Sequence, residues 1–212
     1  MDRREYQELA DREKVHWWHA SRRRILASVI DHLPLASAPS ILEVGSGTGG
    51  NLLMLSKFGS VSAMEFDSEA RQIAEAATGI QISAGALPDN VPFPQNAFDL
   101  VVAFDVIEHI DDDIGSVETL YNATKPGGWF IATVPAYAWM WSEHDVKLHH
   151  KRRYTRGPFT SIIRTAGFRI ARSSYFNTFL FPLAALIRLL QSGTGSSGSA
   201  ERSLPRPCVN RI

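Results

Sequence analysis

The 212-residue chain has a single cysteine, Cys208, in its tail. One thiol excludes a disulfide framework and a cysteine-based zinc site, and it suits a reducing cytoplasm. No run reaches the roughly 18 apolar residues of a spanning helix. The opening MDRREYQELADREK is too charged for a secretory signal. The expectation is a cytoplasmic protein, with peripheral membrane contact open but not expected. Net charge is also absent overall, yet it is unevenly spread. Residues 25–146 hold 3 basic and 16 acidic side chains, whereas residues 147–200 hold 9 basic and none acidic. The basic block can face an anionic ligand or surface, or pair with the acidic part across the fold.

What is present begins with Ile41 to Asn51, ILEVGSGTGGN. An apolar strand runs into a glycine-rich turn and then a helix. Gly45, Gly47 and Gly49, with Ser46 and Thr48 between them, let backbone approach a ligand and offer free N–H groups. Twenty residues after Gly45 comes Glu65, at the end of a second apolar run, where a carboxylate can take both hydroxyls of a ribose. This spacing fits a nicotinamide dinucleotide, as GxGxxG through Gly45, Gly47 and Gly50. It also fits S-adenosylmethionine, as ExGxGxG beginning at Glu43. A carboxylate at Glu43 would repel a pyrophosphate and would suit an ammonium and a sulfonium. The loop also comes late, after about forty residues of helical character.

Apolar periodicity predicts strands near 40–45, 60–66, 79–83, 98–104 and 129–134, and a sixth over Phe168 to Ser174. Helices are predicted over Ser21–His32, 50–58, from Asp67 or Ser68 to Ala77, over 112–123, and from near Pro158 to Ala166. Alternating strands and helices imply an α/β fold with a doubly wound, mostly parallel sheet and helices on both faces. Ligands in such sheets bind at the carboxyl ends of the strands. The apolar stretch Phe179 to Leu190 reads as a helix packed on the sheet, a lipid-like acceptor contact, a membrane-surface contact or a dimer face. Residues 191–200, QSGTGSSGSA, have linker composition.

Four segments in order then carry a resemblance: ILEVGSGTGG, VSAMEFD, LPDNVPFPQNAFDLVVAFDVIEHI and KPGGWFIATVPA. Over residues 38–175 the chain resembles class I S-adenosylmethionine-dependent methyltransferases, in their Rossmann-like fold. Its flanks, HWW–RR and WSEHD–HH–RRYT, look like the small-molecule type. The resemblance implies a donor site in which Glu43, Gly45, Ser46, Gly47, Thr48 and Gly49 hold the methionine part. Glu65 would hold the ribose, Phe66 would pack on the adenine, and Phe104 and Asp105 would line the site. Relatives often carry an aspartate after the third strand, and Ser83-Ala84-Gly85-Ala86 stands there instead. Class I folds usually end in a seventh, antiparallel strand, and no such strand is expected after Gln191. The implied organisation is a helical lid over 1–37, a donor-binding domain over 38–190 with a substrate-facing insertion at 136–154, and a flexible tail over 191–212.

Methyl transfer to oxygen or nitrogen of a small, anionic acceptor is the expected activity. Its alternatives are a non-catalytic donor-binding protein and a nicotinamide-dependent oxidoreductase. A base is useful, and His109, His144, His150 and Asp145 are the candidates. Trp17, Trp18, Arg22, Trp141, Arg152, Arg153 and Tyr154 are candidates for binding the acceptor. Asp105, Glu108 and His109 form a corner that in similar quinone-biosynthesis O-methyltransferases can hold a divalent ion, although no metal is expected here. DVIE stands where an NPPY-type tetrapeptide would be, so nucleic acid is not an expected partner.

Overall fold

The computed structural model describes residues 3–178, 180–183, 185, 186 and 188, with side chains from residue 6 onward. The predicted flexible tail, residues 191–212, lies outside the described residues. Five strands form one sheet in the order β3-β2-β1-β4-β5. They are β1 (Ser40–Val44), β2 (Ser60–Glu65), β3 (Ile82–Ala84), β4 (Phe98–Phe104) and β5 (Thr124–Thr133). Every pairing is parallel.

The central strands are buried on both faces, as their continuous apolar runs require. Leu42, Val44, Val101 and Ala103 point to one face and pack with Val117, Leu120 and Ile163. Those three come from α5 (Asp113–Ala123) and α7 (Arg156–Thr165). Ile41, Leu100, Val102 and Phe104 point to the other face, against Leu26 and Ile30 of α2 (Trp17–Asp31) and Leu55 of α3 (Leu52–Leu55). Fully burying one such side chain contributes about 1.5–3 kcal/mol. Strand alternation also puts Glu43 on the same face as Ile41, a position where a carboxylate is costly.

Local signals set the helix ends. Asp67 caps α4 (Ser68–Thr78) by accepting from Glu69 N and Ala70 N, and Gly79 closes it in the left-handed region. α1 (Arg3–Val15) stops where His16 turns extended, and the His16 ring accepts from Trp18 N to start α2. The Ser40, Asp99 and Lys125 side chains tie together the amino ends of β1, β4 and β5.

Two expectations are corrected. β5 starts at Thr124, five residues early, because Lys125 to Gly128 loop out as an irregularity between Phe98↔Thr124 and Leu100↔Trp129. Residues 168–174 form no strand. They keep an alternating character, with Phe168 and Ile170 packed on the core. Phe168 stacks on Phe130 and meets Tyr121 edge-on. A strand needs a ladder partner, and among the described residues nothing pairs with this segment. In the apolar stretch that follows, Leu180, Leu183 and Leu186 are exposed rather than packed on the sheet.

Candidate active site

The carboxyl ends of β1, β2 and β4 converge as predicted. β1 ends in Gly45, whose φ of +66° a side chain would strain, and whose added Cβ would lie 2.6 Å from Val106. The N–H groups of Gly45 and Ser46 donate to Met64 O at 2.9 and 3.1 Å, which pins the loop to β2. Gly47 N donates to Glu65 Oε2 at 2.8 Å, and Asp67 N to Glu65 Oε1 at 2.9 Å. Glu65 therefore stands at the loop rim with both oxygens fixed. Arg71 holds the carbonyls of Glu65 and Phe66, while the Phe66 ring is 78% exposed, open to a planar group. A Cβ at Gly47 would meet nothing within 4 Å, so the loop opens onto free space there.

Glu43 is 1% exposed beneath this loop. Asn51 Nδ2 donates to its Oε1 at 2.9 Å, and its Oε2 accepts nothing among the described residues. Burial, against the Asn51 hydrogen bond, pushes its carboxyl up to about 8. The Ser46 hydroxyl is buried and likewise unpartnered. Thr48 donates to Glu13 Oε2 at 2.6 Å, so α1 reaches the loop. A buried, incompletely paired acid beside an open glycine loop fits a cationic ligand better than a phosphate. The residues present thus suit S-adenosylmethionine. After β3, Ala86 N donates to Asn90 O, so that backbone group is already committed.

At the end of β4, Phe104 is buried and Asp105 adopts φ +58°. Arg22 of α2 ion-pairs with Asp105 Oδ2 at 2.7 Å and donates to Thr133 Oγ1 at 2.8 Å. Its guanidinium lies 5.8 Å from the Phe104 ring centroid. Arg22 is thus brought to the site. One turn earlier Trp18 stacks on Phe176 at 6.3 Å, and Trp17 stacks on His16 at 5.8 Å.

Beyond Asp105 the chain enters a 3₁₀ turn, Ile107–His109. Glu108 is fully buried with both oxygens unpartnered among the described residues. Burial, reinforced by the Asp105 charge, pushes it up to about 9. His150 Nε2 lies 4.0 Å from Glu108 Oε1, and His150 Nδ1 lies 2.9 Å from Asp145 Oδ1. The His109 ring meets His150 edge-on at 4.7 Å, and burial pulls His109 below the usual histidine range. Asp145, in α6 (Glu143–Lys147), is fully buried. It accepts from Arg153 Nε at 2.7 Å, Arg153 Nη2 at 2.9 Å, Ser142 N at 2.8 Å and Ser142 Oγ at 3.0 Å. Although burial opposes ionisation, these bonds and His150 hold it well below the usual carboxylate range. An ionised Asp145 can only accept, so the His150 Nδ1 that faces it donates.

The structure therefore joins His109, Asp145 and His150, and adds Glu108. One ligand atom each from Glu108, His109 and His150 lies within 4.8 Å of the others, a set that could hold a metal ion. Asp105 is not in that set, being tied to Arg22. His144 and Trp141 are exposed on the insertion. Arg153 is bound to Asp145, Arg152 Nη1 to Asp113 at 2.9 Å, and Tyr154 OH to Asp113 at 2.8 Å. Lys151 pairs with Asp111. Lys151, Arg152 and Tyr154 thus lock the insertion onto the start of α5, while Arg153 braces the insertion internally.

Sequence reasoning missed Glu13, Asn51 and Thr133. Only Asn51, eight residues after Glu43 at the start of α3, carried a local signal. An aromatic cluster was also missed in part: Tyr137 stacks on Tyr175 at 5.2 Å and contacts Phe181 and Trp139.

Comparison with known proteins fits this geometry. A methyltransferase-domain family model matches residues 17–191. A Mycolicibacterium smegmatis protein that carries the name probable S-adenosylmethionine-dependent methyltransferase is 28% identical over 134 residues, covering 61% of this chain and 52% of that protein. The ubiquinone biosynthesis O-methyltransferase of Albidiferax ferrireducens is 30% identical over 116 residues, covering 50% and 45%. The chain spans about half the length of these two relatives. In fold it is similar to Haemonchus contortus phosphoethanolamine N-methyltransferase 2 in complex with S-adenosyl-L-methionine. That match has a TM-score of 0.62 at 20% identity, covering 81% of this chain and 42% of the other. The dinucleotide alternative falls away, and the chain belongs to the class I S-adenosylmethionine-dependent methyltransferase family.

Proposed function

We propose that the chain transfers a methyl group from S-adenosylmethionine to an oxygen or nitrogen of a small molecule. The observation that carries this is the Asp145–His150–Glu108–His109 network, with buried carboxyls and half-buried imidazoles, beside Asp105 at the carboxyl end of β4. A heteroatom acceptor must lose a proton, and the His109 imidazole, pulled below the usual range by burial, can take it. The donor, when bound, supplies a methyl group on a sulfonium, whose sulfur departs as a neutral thioether. On this reading Glu65 takes the ribose hydroxyls and the Gly45–Gly49 loop holds the amino-acid end. Arg22 and α2 cover the site and help exclude water. One imidazole of the His109–His150 pair accepts the acceptor proton, and Asp145 positions His150.

Lys151, Arg152 and Arg153 are tied to aspartates, which removes the cations on which anion binding was expected. The aromatic side chains Trp18, Tyr137, Trp139, Tyr175 and Phe176 favour a planar or apolar acceptor face instead. Trp18 belongs here because it sits one turn before Arg22, and Tyr137 because it follows the end of β5 by four residues.

The test is S-adenosylhomocysteine formation by the purified chain with phenols, amines and carboxylic acids, with and without EDTA. Turnover with phenols or amines supports the reading. Donor binding with no turnover across the panel would make the chain a non-catalytic donor-binding protein. Loss of turnover in EDTA would assign Glu108, His109 and His150 to a metal rather than to proton transfer.

A further inference from the structure

α1 contributes a third carboxylate to the glycine loop. Glu13 Oε2 accepts the Thr48 hydroxyl at 2.6 Å. It also fills the space beside Gly50, where an added Cβ would lie 2.6 Å from the same oxygen. Arg23 Nη2 donates to the Glu13 carbonyl at 3.0 Å and so ties the end of α1 to α2. Two turns earlier, the Tyr6 hydroxyl bonds Asp67 at the start of α4. Positions 6 and 13 are seven apart and share one helix face, about 10 Å along the axis. That face of α1 therefore runs from the Asp67 end of β2 to the glycine loop.

Glu13, Glu43 and Glu65 now surround one open loop. The charged groups acting on Glu13 are Arg22 and Arg23, and those acting on Glu43 are Arg22, Glu13 and Glu65. Arg22 is already committed to Asp105 and Thr133, and Arg23 to a backbone carbonyl. Three acids with one oxygen of Glu43 still unpartnered make a poor structural arrangement and a good receptor for a cation.

We propose that Glu13 is a donor-site residue, carried by α1 onto the glycine loop so that it and Glu43 receive the ammonium end of S-adenosylmethionine. This rests on the reading that the donor binds at Gly45–Gly49. The competing role is a latch, in which the Glu13–Thr48 bond merely holds α1 down. The two differ in which ligand they affect. S-adenosylhomocysteine carries the ammonium, whereas 5′-methylthioadenosine has the same adenosine and thioether without it.

The experiment is calorimetric titration of the full chain with both compounds, for the native sequence, E13Q, E13D and E65A. E13Q is expected to weaken S-adenosylhomocysteine about tenfold and leave 5′-methylthioadenosine within about twofold. Equal weakening of both ligands, or unchanged or tighter S-adenosylhomocysteine binding, would overturn the proposal. Should E13Q not fold, E13D carries the test. Withdrawing the carboxylate by one methylene should weaken S-adenosylhomocysteine at least about threefold with the other ligand unmoved. E65A separates the two readings: if it loses both ligands while E13Q loses neither, the donor site stands and the role of Glu13 falls. If the native chain binds neither, the donor-site reading itself fails.

Discussion

Glu43→Gln should make the protein more stable while making it a worse donor binder, and the effect should grow with pH. In the folded chain the Glu43 carboxyl is raised from 4.5 to about 8 by burial. The native state therefore holds a proton there that the unfolded chain releases above pH 4.5. The sign follows from linkage: the folded state binds more protons, so stability falls as pH rises from about 4.5 to 8 and levels off above that. At about 1.36 kcal/mol for each tenfold in proton affinity, the loss is about 2 kcal/mol at pH 6 and approaches about 5 kcal/mol above pH 8. A glutamine cannot ionise and carries none of this slope.

The measurement is thermal unfolding of both proteins at pH 6 and pH 9. Groups common to both cancel in the comparison, and so does the fixed cost of burying an amide. What remains is about 3 kcal/mol more relative stabilisation of the variant at pH 9 than at pH 6. For a domain of this size that is roughly 5–10 °C of melting temperature. Parallel titration with S-adenosylhomocysteine should show weaker binding by the variant. A variant whose melting temperature tracks the native protein at both pH values would refute the reasoning, since Glu43 would then be solvated or already paired. A variant that binds the ligand more tightly would refute the functional half.

Asp145→Ala should cost about 3–5 kcal/mol and lower the melting temperature by roughly 10 °C, because it removes the buried acceptor shared by Arg153, His150 and Ser142. The Asp145 contribution is present above about pH 4, and acid unfolding should show it lost as pH falls through the depressed folded value. Gly45→Ala should abolish S-adenosylhomocysteine binding in calorimetry, and Val106→Ala should not restore it, because relieving the 2.6 Å contact leaves the φ of +66°. His150→Ala should lower kcat about 100-fold with donor affinity within about twofold, a split read by initial rates and titration. Equal loss of both would make His150 a packing residue.

Which parts of this were legible in the sequence depends on how far apart the contacting residues lie. β1 and β4 are apolar runs buried on both faces, so composition alone marks them. α4 carries its stop signals at both ends in Asp67 and Gly79. The loop and Glu65 lie on adjacent parallel strands in register, Val44 opposite Met64, so a spacing of twenty residues reports their meeting. The loop after α5 was misleading because Lys125-Pro126-Gly127-Gly128 has helix-stop composition, yet it sits inside β5 with Gly127 at φ +79°. Glu13 was invisible because it meets Thr48 across 35 positions, with no periodicity linking them.

The acceptor side shows the same rule in its charges. The basic block after residue 146 reads as a ligand surface only while its partners are unknown. Lys151 and Arg152 meet Asp111 and Asp113 at the seam between the insertion and α5, and Arg153 meets Asp145 within the insertion. The pairs are not equal. Lys151–Asp111 is largely exposed, with 84% of the aspartate side chain open, and such pairs contribute about 0–1 kcal/mol. Arg153–Asp145 is bidentate, with a fully buried carboxylate that His150 joins, so removing Arg153 strands a charge in the interior. Asp145 therefore holds the insertion's internal shape, and Lys151, Arg152 and Tyr154 dock it at the start of α5. The same carboxylate faces His150 Nδ1, which couples the insertion's internal order to the proton chemistry proposed for the site.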